Sequence, residues 1–296
     1  MGVAWRWCLV TLEVVGCIAL AWGFSKLLPH GDFWSESMFR AGPSRSVETP
    51  RWVVPWVLQL AILIPLAGTF LGRWKRADYG LVFSFPTLGE CCSILVIRIL
   101  VASIGILLIP GVAEGVWAPY AIRTQADLLV YVLWISPVVA GFGEELFFRG
   151  FVQGTWMGVN VAWGALATAV CFALLHGFQG ILPLVAMHIP TGLLVAGVYA
   201  RRRDLPSQIV GHALFDVVIF AELFLVHQHR GPSGPLAAGL FLACGAALFG
   251  LRRHVRSAFA ATWGLLPALR ADVRHAPFAI VACPALFWAY RFFSWR

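Results

Sequence analysis

Two adjacent carboxylates and an arginine close a long apolar run, in Gly141-Phe142-Gly143-Glu144-Glu145-Leu146-Phe147-Phe148-Arg149-Gly150. Leu128 to Phe142 carries no charge. A charge at the centre of a bilayer helix costs roughly 2.5–3.5 kcal/mol on insertion scales, so an acid placed there is paired or functional. Glu145 and Arg149 are four apart, share a helix face and can pair. Glu144 is turned about 100° from Glu145 on a helix and has no partner within the motif. Two later stretches offer one. Phe172-Ala173-Leu174-Leu175-His176 ends an apolar run, and His212-Ala213-Leu214-Phe215-Asp216 lies early in another. His212 and Asp216, also four apart, share a face. Glu144, His176, His212 and Asp216 thus come from three helices, which a bundle can bring to one interior point.

The chemistry open to this set is hydrolysis by activated water. An unpaired carboxylate in a low-dielectric pocket suits a general base, so Glu144 takes a proton from water with the help of His176. The hydroxide then attacks an amide carbonyl, and the oxyanion needs donors. His212 supplies one. Asp216 supplies another only when protonated, a state that an apolar site favours. No serine or cysteine stands in a nucleophile motif such as G-x-S-x-G. A rival reading uses Glu144, His176 and His212 as ligands of a catalytic zinc, although the H-E-x-x-H pattern is absent. Loss of activity with chelator and its return with zinc would select that reading. Otherwise no cofactor and no metal is expected. His188 reads as a structural hydrogen-bonding residue. Arg98, Glu13 and Glu222 read as residues that pair within the bundle or snorkel from a span end.

The elements that must position these groups are membrane helices. Of the 296 residues 60% are hydrophobic and 12% charged, about half the charge of a soluble protein. Several nearly uncharged runs approach 20 residues, the length that crosses a bilayer as helix, and they do not alternate as barrel strands do. The expected fold is all-α and polytopic, with about eight transmembrane helices and the site inside the bundle. Expected spans are Trp7–Leu28, Trp52–Leu71, Cys91–Ile109, a fourth from Leu128 into the acidic motif with a kink at Pro137, Val161–His176, Ile181–Ala200, Ser207–Val226 and Leu236–Leu251. The apolar tail Phe278–Phe293, broken by Pro284, fits a ninth span and an interfacial segment equally. Three regions follow: 1–125 with helices one to three and their loops, 126–228 as the catalytic core, and 229–296 with helix eight and a basic, aromatic tail.

The net charge of +8 reflects basic residues at span ends rather than a nucleic-acid surface, for which no fold motif is present. Arg73, Lys75 and Arg76, Arg201 to Arg203, and Arg252, Arg253 and Arg256 fall on one side of an eight-span topology with the N-terminus and Arg149. That side is cytoplasmic by the positive-inside rule. The first span reads as retained rather than as a cleaved signal. The seven cysteines lie in apolar stretches without metal-type spacing and read as small buried hydrophobes. With a turn near Asn160, Glu144 and His176 sit level in an antiparallel hairpin. Span five is then shallow, with Gly177–Gly180 at membrane depth, which is tolerable where backbone lines a cavity.

E-E-x-x-x-R, then F-x-x-x-H, then H-x-x-x-N/D, in order on successive apolar helices, resembles the CPBP family, which includes the type II CAAX prenyl proteases and the Abi-type, bacteriocin-processing proteases. The matching residues are Glu144, Glu145, Arg149, Phe172, His176, His212 and Asp216, within Leu128 to Val226. The resemblance implies an intramembrane endopeptidase of glutamic type in which Glu144 and His176 activate water, Glu145 and Arg149 support that carboxylate, and His212 with residue 216 forms the oxyanion hole. Asp216 departs from the asparagine of the eukaryotic prenyl proteases. Expected partners are membrane lipid and a membrane-associated protein substrate bearing a prenyl group, a leader or a sorting signal. The expected location is a prokaryotic cell (inner) membrane with the N-terminus cytoplasmic. Two other classes fit buried charges: a non-catalytic scaffold or immunity protein that keeps the fold, and a transporter, for which repeated halves with interrupted helices are lacking.

Overall fold

A computed structural model describes residues 2–26, 79–108, 122, 124–176, 181–228 and 234–294, and these form an all-α membrane bundle without strands. The helices are α1 (Val3–Lys26), α2 (Phe85–Leu108), α3 (Gln125–Met157), α4 (Val161–Leu175), α5 (Ile181–Arg202), α6 (Leu205–Gln228), α7 (Gly234–Gly250), α8 (Arg252–Trp263), α9 (Leu266–Ala271) and α10 (Ala276–Ser294). By length and composition α1, α2, α3, α5 and α6 can each cross a membrane. The expected second span, Trp52–Leu71, and the Gly177–Gly180 segment lie outside the described residues. The third span begins at Phe85, six residues before the expected start at Cys91, because Cys91 is preceded by a further helical turn and a half.

Caps fix the ends of the elements that matter to the site. Thr124 and Asp127 form a reciprocal capping box at the start of α3, with Thr124 Oγ1 accepting from Asp127 N at 3.1 Å and Asp127 Oδ2 accepting from Thr124 N at 2.9 Å. Asn160 caps α4 by accepting from Trp163 N at 3.0 Å. Arg203 ends α5 in the left-handed region at φ 52°, and Asp204 opens α6 by accepting from Ser207 N at 3.0 Å and Ser207 Oγ at 2.8 Å.

The helix that carries the acidic doublet is not a uniform α-helix. It takes the wider π geometry over Tyr131–Glu144 and Leu146–Gln153. Pro137 lies inside the first stretch. Its ring has no N–H to donate and crowds the preceding turn, and a widened turn is one way to absorb that. π geometry gathers at functional sites elsewhere in proteins, and here both carboxylates sit where the two stretches meet.

α6 packs between α3 and α2, and α4 lies against α5 and α10. The α3–α6 approach is close because Gly141 has no side chain. A Cβ there would lie 2.9 Å from Ala213 Cβ and 3.0 Å from Ile209 O. Ser136 Oγ donates to Ala213 O across the same seam. α10 joins the bundle through Ala279, Ala282, Cys283 and Leu286, all buried, and Cys283 Sγ contacts Ala167 O at 3.2 Å. Away from the site, Glu90 is buried and gathers Arg201 at 2.6 Å, Arg202 at 2.7 Å and Ser257 at 2.7 Å, which ties α2, α5 and α8 together.

Candidate active site

α3, α4 and α6 bring their polar groups to the middle of the bundle. Glu145, 1% exposed, is the central acid. Its Oε2 lies 3.3 Å from Arg149 Nε and its Oε1 accepts from His212 Nδ1 at 2.7 Å. The Arg149 pairing is the one that the four-residue spacing allows on one face. The His212 pairing joins residues 67 apart in the chain and has no signature in either local motif. Nε2 of His212 faces Asp216 Oδ1 at 3.9 Å. That separation is beyond hydrogen-bond length.

Glu144 is arranged differently. Its Oε2 is buried and has no hydrogen-bond partner, while His212, Asp216, Glu145 and Arg149 all act on it electrostatically. The doublet is thereby split into one carboxylate held by two partners and one with a free oxygen. Neighbouring helical positions point in different directions, which is the physical origin of that split.

Phe172 is the hub of the site. The Arg149 guanidinium lies 4.1 Å above its ring, the His176 ring is 4.5 Å away and the His212 ring 6.0 Å away. Phe148 meets it edge-on at 5.2 Å. A cation over an aromatic face is attracted to it, so Phe172 helps to hold Arg149. His176 ends α4, and its Nδ1 donates to Phe172 O at 2.9 Å. That bond selects the tautomer whose Nε2 carries the lone pair.

Two residues read as structural from sequence stand at the site. His188 stacks on His176 with ring centroids 4.5 Å apart and an interplanar angle of 26°. Arg98 lies 3.8 Å above the Phe215 ring, next in sequence to Asp216. Arg98 also lines a small cavity together with Cys91, Glu145, Gln208, Gly211 and His212. A lone charge or histidine in an apolar helix carries no periodic signal, so spacing could not enrol either one. Glu222 accepts from Ser103 Oγ at 2.8 Å and stays outside the cluster. Among the described residues no three histidine, cysteine or acidic side chains are grouped as metal ligands.

Searches of curated proteins and of solved structures returned no match. Residues 126–218 match a family model described as Type II CAAX prenyl endopeptidase Rce1-like. The matched stretch begins at the start of α3, ends two residues past Asp216, and contains every residue of the three motifs. It supports a CAAX-type intramembrane protease in general, and it is over this stretch that the chain is shown to resemble the type II CAAX prenyl endopeptidase family.

Proposed function

We propose that the protein is an intramembrane endopeptidase that hydrolyses a peptide bond of a membrane-associated or lipid-modified protein, using water activated by Glu144. The observation that carries this reading is the free, buried Oε2 of Glu144 beside an imidazole that is already held by another carboxylate. Glu144 takes a proton from water, and the water oxygen bonds to the scissile carbonyl carbon as the C=O electron pair moves to oxygen. His176, with Nδ1 tied to Phe172 O, offers Nε2 as the acceptor that orients the water. The oxyanion receives a hydrogen bond from His212 through Nε2, while Glu145 holds the ring through Nδ1. A protonated Asp216 is the second donor. When the intermediate collapses the C–N bond breaks, and Glu144 returns its proton to the leaving amine. Arg149 and Phe172 touch neither water nor substrate in this scheme. They hold Glu145, and through it His212, in place.

The substrate is drawn from proteins anchored in or at the same membrane, and the bundle sits in a prokaryotic cell membrane with the N-terminus and span-end arginines in the cytoplasm. The test is cleavage by purified protein in lipid. Glu144→Gln, His176→Ala and His212→Ala should each abolish cleavage while the variants insert and purify as the wild type does. An active Glu144→Gln variant would overturn the mechanism.

A further inference from the structure

His176 stands one place beyond the last residue of α4, with its backbone already out of helical geometry at φ −90° and ψ 5°. No further turn of α4 braces its ring. The hydrogen bond from Nδ1 to Phe172 O and the contact with the Phe172 ring both come from one residue, a turn back on α4. His188 reaches the ring from a different helix. It is 3% exposed, and its imidazole is stacked on that of His176, with centroids 4.5 Å apart and an interplanar angle of 26°. The backbone of α5 sets this position. Pro190 has no N–H to donate and crowds the turn before it, and α5 takes the wide π geometry over Leu184–His188. Regular helix resumes over Ile189–Arg202, and Thr191 Oγ1 donates to Met187 O at 2.6 Å. A leucine would fill a buried place in an apolar helix without the desolvation cost of an imidazole.

We infer that His188 is a positioning residue whose ring plane fixes the orientation of the His176 imidazole, so that Nε2 of His176 is aimed at the water that Glu144 activates. This rests on the peptidase reading above and adds to it a residue outside the three motifs. His188 touches neither water nor substrate in this role and acts through His176. The flat face of its ring carries the effect. An imidazole turns about a soft terminal torsion with broad wells. The Nδ1 bond to Phe172 O fixes one atom of the His176 ring, and a stacked plane fixes the tilt about that atom. A branched or flexible side chain of similar bulk fills the space without fixing the tilt. The consequence falls on rate, since a misplacement of about 1 Å at a reacting group costs about a hundredfold.

The experiment measures kcat and KM in lipid for wild type, His188→Phe, His188→Leu and His188→Gln. The substrate is the member of a quenched-fluorescent library of lipid-anchored hydrophobic peptides that wild type cleaves fastest. His188→Phe keeps a flat ring and should hold kcat within about tenfold of wild type. His188→Leu and His188→Gln lose the ring and should lower kcat by about a hundredfold with KM within about twofold. Equal kcat in the Phe and Leu variants overturns the inference, and so does a loss carried by KM. Failure of all three variants to fold overturns it too, because His188 would then serve the bundle as a whole. If wild type cleaves no peptide, the peptidase reading fails separately, and nitrogen NMR of histidine-labelled protein in micelles still decides. His176 should show a single Nδ1–H tautomer in wild type and His188→Phe, and a mixture of tautomers in a variant without the ring. An unchanged His176 signal in that variant rejects the inference. The spectra decide with whichever of the Leu and Gln variants folds.

Discussion

Removing the charge of Glu145 should cost more than removing its whole ion pair. In Glu145→Gln the Arg149 guanidinium, 2% exposed, loses the only carboxylate within 4.0 Å among the described residues and stays over the Phe172 ring. Breaking a buried pair from one side typically costs about 3–5 kcal/mol, because an uncompensated charge remains, whereas replacing both partners by apolar groups is often near neutral. Against a net stability of roughly 5–15 kcal/mol, either single variant is severely weakened. Glu145→Gln carries a second penalty, since His212 Nδ1 loses a charged acceptor at 2.7 Å, worth about 1.5–3 kcal/mol. The order of stability should therefore be wild type, then the double variant Glu145→Gln with Arg149→Met, then Arg149→Met, then Glu145→Gln. The assay is denaturant unfolding of the purified protein in mixed micelles, read by circular dichroism, as a double-mutant cycle. Two results would refute the reasoning: single variants within about 1 kcal/mol of wild type, or a double variant whose loss is the sum of the singles.

Three further outcomes follow from the same geometry. Glu90→Ala should destabilise by about 1–3 kcal/mol, less than a fully buried pair, because Arg201 and Arg202 are 34% and 37% exposed and water takes over part of their solvation; unfolding midpoints measure it. Gly141→Val should cost about 1–3 kcal/mol by overpacking against Ile209 O and Ala213, and it should lower cleavage by more than it lowers the folded fraction, since the displaced segment of α6 carries His212. Asp216→Asn should retain cleavage within about tenfold, because a neutral amide donates without needing a proton; an inactive variant that still folds would show that the negative charge itself is required.

Much of the fold could be read from the apolar runs, because burying backbone in lipid leaves helices as nearly the sole solution and the length of a run then states whether it crosses. The order of the motifs carried the family resemblance. What lay hidden was the wiring. The Glu145–His212 contact depends on how α6 rolls against α3, and the small residues Gly141 and Ala213 set that roll without advertising it. The π geometry of α3 leaves no mark except Pro137. Arg98, His188 and Glu90 were equally silent. Each is a single polar residue in an apolar helix, and only the neighbouring helix says whether it serves a structural pair or a site. The short α4 had a visible cause, since the apolar run starts at Asn160 and stops at His176, and Asn160 is a strong cap by residue type.

The central claim is that the acid and imidazole groups on α3, α4 and α6 cut membrane-associated proteins. The direct measurement is a comparison of protein termini in membranes of otherwise identical cells carrying either wild type or Glu144→Gln at equal abundance. A defined set of new termini with wild type, absent with Glu144→Gln, is the expected result. Indistinguishable termini in the two membranes would contradict the claim.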